Sequence, residues 1–390
     1  MIERIRLVIA RAWTGHRIVV IGVSAVAVVA ILATSLLIAV RPGDTAQASA
    51  TPNASPSALA SPSPSDSPSP EPSPTDVNLS PSTIPADWVA SDLDGVLAPS
   101  DLAHRLPIAV MVSDNAIDRP QSGMSSASIV YQAPMEGGED RYMVVYQEGT
   151  ASDIGGVRSA RPFFVYWVAE YKAMFVHDGG DPKVIGTVIP ANVNNIYNLD
   201  AGYGGSCPFH RISTRTAPHN EYTNSTVLIG CAVKVQYPPT YQNLPTRTFR
   251  QDVPLAERPA SQVISIPYHT GTIGYQYDPA TDSYLRVVDG NNQIDPANNK
   301  QVYARNIVVM YQTVTLDPTT DPGYNRILLG NVGSGKATLF IEGKAIAATW
   351  KKTSNTALTR FYDSSGAEIP LVRGSIFMQS VAVGTAVTAK

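Results

Sequence analysis

Arginine is the residue whose placement most suggests chemistry in this chain. Between Asp101 and Asn220 there are seven Arg and two Lys, whereas from Glu221 onward there are eight and seven. A guanidinium offers a rigid planar fork of donors that grips phosphate or carboxylate in a bidentate way, which an ammonium cannot do. The first-half arginines fall in loops marked by Gly and Pro: Arg119-Pro120-Gln121, Gly137-Gly138-Glu139-Asp140-Arg141, and Gly155-Gly156-Val157-Arg158-Ser159-Ala160-Arg161-Pro162. Around Arg158, two glycines allow close backbone approach, and Arg158 and Arg161 bracket the start of a helix. A helix N-terminus with two guanidinium groups makes an anion site. The candidate ligand-binding set is Arg119, Glu136, Arg141, Arg158, Arg161, His177, Asp178, Arg211, His219 and Asn220. Glu136, Arg141, Arg158, Arg161, His177 and His219 are expected to converge in one cleft. The alternative is that the Arg pair with Glu136, Asp140 or Asp178 and staple loops together.

Other chemistries are less well supported by spacing. His177, Asp178 and Asp181, with His210, His219 and Glu136, are metal-ligand types, but their intervals match no zinc signature. Ser159 lacks a Gly-x-Ser-x-Gly elbow, and Cys207 near His210 could form a thiol–His pair only if it stayed reduced. No catalytic residue can be assigned. Gly330 to Ala337 mimics a phosphate loop, but Ala337 stands where the magnesium-binding hydroxyl belongs and a strand pattern comes next, so it reads as a turn.

Periodicity gives the scaffold that carries these residues. Pro107–Val112, Ser128–Tyr131, Tyr142–Tyr146 and Ala173–Val176 read as strands, with helices over Phe163–Tyr171 and Thr223–Val235. Strands alternating with helices predict an α/β (α+β) first domain over 87–240. Prolines at 238, 239, 245, 254 and 259 mark a linker over 241–260. Beyond it, short strands with the turns Asp289-Gly290, Glu342-Gly343-Lys344 and Ser364-Ser365-Gly366 predict a mainly antiparallel β domain over 261–390.

Ahead of both lies a run of 23 uncharged residues, Ile18–Val40. At about 1.5 Å per residue it spans a bilayer core of roughly 30 Å. Arg4, Arg6, Arg11 and Arg17 precede it, which keeps residues 1–17 in the cytoplasm and places the chain after Arg41 outside. A cleaved signal peptide is the competing reading, since Ala46-Gln47-Ala48 has small-x-small character, but a signal core is shorter than this run. The expected location is therefore the cell membrane, single-pass, with the domains extracytoplasmic. Residues 41–86, rich in Pro, Ser, Ala and Thr, are expected to form a disordered stalk. From Asp87 onward 24 Lys plus Arg face 27 Asp plus Glu, which gives nucleic acid no electrostatic footprint. No cofactor is expected, apart from the divalent metal that an enzymatic reading would need. In an oxidising compartment Cys207 and Cys231 are expected to pair.

At these residues the chain resembles the YerB-like family of bacterial envelope lipoproteins, a domain of unknown function. The matching segments are Arg119 to Gly123, Glu136-Gly137-Gly138 with Arg141, Gly155 to Pro162, His177-x-Gly179-Gly180 and Ala217 to Asn220, then Gly333-Ser334-Gly335, Gly343, Trp350-Lys351-Lys352 and Gly374. The resemblance implies a two-part extracytoplasmic module, usually lipid-anchored, with no established activity. Asp178, Asp181 and Glu139-Asp140 add acid beyond that pattern. The order of strands, Arg-bearing loop and helix is also similar to the LytR-CpsA-Psr phosphotransferases, which use Arg and Asp around a lipid pyrophosphate. Three functions are compatible with these residues. One is binding of an anionic cell-wall or lipid-linked ligand through Arg119, Arg141, Arg158 and Arg161. Another is a phosphotransferase or hydrolase on a polyprenyl-linked substrate, with Asp178 or Glu136 holding a metal. The third is a structural envelope protein whose Arg are all internally paired.

Overall fold

Alternation along each strand sorts the apolar side chains onto two faces of one large sheet. In the strand Ile108–Ser113 (β1), Ala109 and Met111 enter one core, while Ile108, Val110 and Val112 enter another. Ile129–Pro134 (β2) and Asp140–Tyr146 (β3) divide in the same way. All residues of these three strands are buried, as expected of a sheet covered on both faces. The computed structural model describes residues 84–192, 197–200, 207, 209–319 and 325–390. The expected cytoplasmic N-terminus, membrane helix and stalk up to residue 83 lie outside the described residues. Among the described residues no helix is long and apolar enough to cross a membrane.

The first half adds Met174–His177 (β4) and Tyr197–Asp200 (β5) to this sheet. Pro162–Glu170 forms α1, with Pro162 at a position where its missing N–H costs nothing. Phe163, Phe164 and Trp167 press α1 onto the Met111 face, where Trp167 stacks on Tyr131 with ring centroids 4.7 Å apart. Ser225–Lys234 forms α2, capped by Asn224, whose side chain accepts from the Val227 N–H at 2.9 Å. On the α2 side, Val263–Tyr268 (β6), Gly271–Asp278 (β7) and Ser283–Val288 (β8) make an antiparallel meander that covers the other face.

The second half is mainly antiparallel β, as its turn chemistry predicts, but most of its long strands join the first-half sheet. These are Asn306–Gln312 (β9), Gly333–Ile341 (β10), Lys344–Lys352 (β11), Arg360–Tyr362 (β12) and Ile376–Ala382 (β13). The strand order is β12-β11-β10-β9-β13-β2-β3-β1-β4-β5, a single ten-stranded mixed sheet. β10 and β11 pair Ile341 with Lys344 around Glu342 and Gly343, both at positive φ (51° and 71°), the geometry of a two-residue hairpin. A Cβ on Gly343 would also lie 2.6 Å from the Tyr277 ring. The phosphate-loop mimic is strand from Gly333 onward rather than the turn its sequence suggests, and no helix follows it to complete a phosphate cradle.

Cys207 and Cys231 are bonded, with Cα atoms 5.6 Å apart, tying the chain before β-ribbon His210–Arg211 to α2. Closing a loop of this 24-residue separation restricts the unfolded chain. Reduction, or Cys231→Ser, is expected to lower unfolding free energy by about 3 kcal/mol, read from urea melts with and without reductant.

Candidate functional site

Strand direction decides where the loops gather. β1, β2, β4, β5, β9 and β13 all run the same way, with β3 returning between β1 and β2. Their carboxyl ends lie along one edge, where open α/β sheets collect ligands. Loops after β1 carry Asp114, Asp118 and Arg119. The loop from β2 to β3 carries Glu136 and Glu139, and the loop after β4 carries Asp178 and Asp181.

Three of the candidate residues come together, two in direct contact and the third through Ser159. Arg161 donates from Nε to Glu136 Oε1 at 2.8 Å, and its Nη2 also contacts that oxygen. Its Nη1 donates to Ser159 Oγ at 3.0 Å, and Arg141 Nη1 donates to the same hydroxyl at 3.2 Å and to the Ser159 carbonyl at 3.0 Å. Two guanidinium groups therefore converge on one serine. Arg326, from the second half, reaches Glu136 Oε1 at 3.4 Å and Asp181 Oδ2 at 3.1 Å. Although burial opposes ionisation, the hydrogen bonds and charge of Arg161 hold the Glu136 carboxyl below its usual range.

Arg158 faces a separate partner set. Its Nη1 donates to Pro218 O at 2.6 Å, and its Nη2 contacts the His219 ring and lies 3.5 Å from Asp118 Oδ2. Asp118 is fully buried and also holds His219 Nδ1 at 2.9 Å. Arg158 is thus a staple between three loops. The two glycines before it make room for the protein itself: Ile154–Gly155 pairs with Tyr222–Thr223, and a Cβ on Gly155 would fall 2.3 Å from the Tyr222 ring. Arg158→Ala is expected to lower unfolding free energy by about 1.5–3 kcal/mol, the worth of hydrogen bonds to a charged group. Arg158→Lys should restore only part of it, as thermal unfolding of the pair would report.

The remaining candidates are spread along the edge. Arg119 joins Asp114 Oδ1 at 3.0 Å, Thr270 Oγ1 at 3.0 Å and Asp289 Oδ2 at 3.2 Å. His177, at the end of a strand covered on both faces, is fully buried with Nδ1 2.7 Å from Gly179 O. Asp178 gives its backbone N–H to Arg158 O at 3.0 Å. Arg211 lies on an exposed ribbon and pairs with Glu221 at 2.6 Å and Asn220 Oδ1 at 2.9 Å. His177, His210 and His219 each stand beside a different aspartate, Asp200, Asp153 and Asp118, so the metal-ligand types found in the sequence do not share one centre. Among the described residues, the acids close enough to share an ion are Asp252, Asp282 and Glu342 in the second half. Arg305 and Arg250 already engage them, at 2.7 Å from Asp252, 2.9 Å from Asp282 and 2.6 Å from Glu342.

Sequence patterning passes over the carboxylates that hold these arginines, Asp114 and Asp118, and the residue that joins the two halves, Arg286. Arg286 is fully buried. It donates to Gln293 Oε1 at 2.7 Å, Gln132 Oε1 at 2.9 Å and Tyr142 OH at 2.9 Å, and also contacts Tyr275 OH. Gln132 passes the connection on by donating to Asp114 Oδ2 at 2.6 Å. Burial pushes the Asp114 carboxyl up, against the pull of Arg119 and Arg286. The spacing Asp114…Asp118-Arg119 in a loop after a strand is the one local hint that these acids turn inward.

A large mixed sheet shared by an α/β half and a β half, with paired Arg and carboxylates along its carboxyl edge, defines a two-part module. Residues 93–237 match the family model "Protein of unknown function (DUF3048) N-terminal domain", and residues 264–378 match that family's C-terminal domain. The chain belongs to this DUF3048, YerB-like family. It is 27% identical over 298 residues to the Bacillus subtilis (strain 168) protein named "Putative lipoprotein YerB", covering 74% of this chain and 85% of that one. The crystal structure of YerB from Bacillus subtilis superposes with a TM-score of 0.67 at 25% identity, covering 77% of this chain and 99% of that chain.

Proposed function

We propose that this protein is a membrane-associated, extracytoplasmic binding protein of the YerB type that takes an anionic, phosphate- or carboxylate-bearing envelope ligand at the corner of Arg141, Ser159 and Arg161. The lipoprotein designation of its Bacillus subtilis relative supports the location. The uncharged run at Ile18–Val40 is the proposed anchor.

One observation carries the ligand reading. Arg119, Arg158 and Arg161 each have a buried or largely buried carboxylate built in as partner, but Arg141 does not. Its acid is Glu139, 3.4 Å away on a side chain that is 45% exposed, and its own Nε is buried with no hydrogen bond. Burial and the neighbouring Arg161 guanidinium push the Arg141 pKa down to about 9, against the pull of Glu139 and Glu136. Arg141 is the arginine of this corner without a buried carboxylate of its own, and an arriving anion supplies one.

Titration with inorganic phosphate and with a phosphorylated polyol, followed by calorimetry, tests this. Both are expected to bind, and Arg141→Lys should weaken them about tenfold, because the charge persists but the fork is lost. Unchanged affinity in Arg141→Lys and Arg141→Ala would defeat the reading. The pairing of the other three arginines with carboxylates favours a second reading, a structural envelope protein without a ligand. A failure of any anion to bind, together with a stability loss in Arg158→Ala, is its expected signature.

A further inference from the structure

A groove of about 630 Å³ opens at the carboxyl edge between the β2–β3 turn, the β6–β7 turn and the segment after β13. Met135, Pro267, Val314, Ile327 and Val381 make its wall largely apolar. Two carboxylates are set into that wall, Glu136 and Asp140. Asp140 is 1% exposed; its Oδ2 accepts from the backbone N–H and the hydroxyl of Thr270, both at 2.8 Å. Its Oδ1 is buried with no hydrogen bond, and the His269 ring Nδ1 lies 3.4 Å from it. Glu136 presents Oε1 to Arg161 and Arg326, while its Oε2 is likewise buried with no hydrogen bond.

A carboxylate oxygen can only accept, so Glu136 Oε2 without a donor and Asp140 Oδ1 with only the His269 ring at 3.4 Å are a standing cost that a donor-bearing ligand removes. The ligand's polar end must therefore donate, and positive charge suits it best. The lining around it asks for hydrocarbon. We propose that this groove binds a primary ammonium group carried on a short unbranched aliphatic chain, as in an alkylamine or a lysine-like side chain, with Asp140 and Glu136 as its acceptors. An ammonium has three donors and no acceptor, so it brings no polar atom of its own that the wall would leave unmatched. The site has the opposite charge preference from the Arg141 corner and adjoins it, since the other oxygen of Glu136 is the partner of Arg161.

Calorimetric titration with n-hexylamine, n-hexanol and hexanoate at neutral pH tests the proposal. Hexylammonium is expected to bind about tenfold or more tightly than hexanol, and hexanoate should show no binding. Asp140→Asn keeps an acceptor for Thr270 but removes the charge, and should weaken hexylammonium about tenfold. Ala386 lines the groove and is exposed, so Ala386→Trp should fold normally and block the site. It gives a test that survives if Asp140→Asn fails to fold. Equal affinity for hexanol and hexylamine, or undiminished hexylamine binding in Ala386→Trp, would overturn the proposal.

Discussion

Arg286→Met is expected to cost about 3–5 kcal/mol of unfolding free energy, comparable to breaking a buried ion pair. The guanidinium serves four side chains from one fully buried position, and it lies 5.3 to 5.6 Å from the rings of Tyr275, Tyr142 and Phe377. Methionine fills much of the volume, so the loss is of hydrogen bonds rather than packing. Gln132, Gln293, Tyr142 and Tyr275 would each keep a buried polar atom short of a partner. Arg286→Lys should recover little, since an ammonium cannot reach groups spread around a planar fork. Urea denaturation would measure both. A loss below about 1 kcal/mol for Arg286→Met would show that the network contributes little net stability.

The second large effect is expected at Lys352. Lys352 is 0% exposed and Glu170 1%, with Nζ 2.8 Å from Glu170 Oε1 and further bonds to the carbonyls of Tyr166 and Ala357. Burial lowers the lysine, against the pull of Glu170. Lys352→Met takes the nearer of two cations from the carboxylate at the end of α1, leaving it Arg247 at 3.6 Å and the Thr359 contacts. About 3–5 kcal/mol should be lost. Adding Glu170→Gln to Lys352→Met should restore nothing, because the buried Arg247 guanidinium then loses its acid partner in turn. If the double variant is more stable than Lys352→Met alone, the buried-charge explanation is wrong.

The parts of this fold that are legible in the sequence are those that local chemistry dictates. The runs at Pro107, Ser128, Tyr142 and Ala173 become β1 to β4 within a few residues, and Pro162 opens α1 as its fixed φ allows. Asp289-Gly290 and Glu342-Gly343 turn hairpins for the same reason. Pairing between distant segments is not legible. Nothing in Ile376–Ala382 announces that it lies parallel to Ile129–Pro134, because both are simply apolar runs. At the site, the Arg-bearing loops are visible, and Glu136, Arg141 and Arg161 do meet. Asp114 and Asp118 escape notice because an acid in a loop ordinarily faces water. Gly155 and Gly156 suggest space for a ligand, but the groups they admit are Tyr222 and the His219 backbone.

The position of β13 has a consequence for how such a chain can be made. It is the last long strand in order of synthesis, yet it sits at the centre of the sheet, between β9 and β2. Until Ile376–Ala382 has emerged, β2 and β9 each present an unpaired edge of backbone donors and acceptors. The two halves therefore cannot mature one after the other as the chain threads out. Pairing across such a sequence distance is also intrinsically slow. The nascent protein must pass through a stage with two open β edges, and that stage, more than the finished fold, is where aggregation and proteolysis would strike. Loss of the final strand would hold the molecule there.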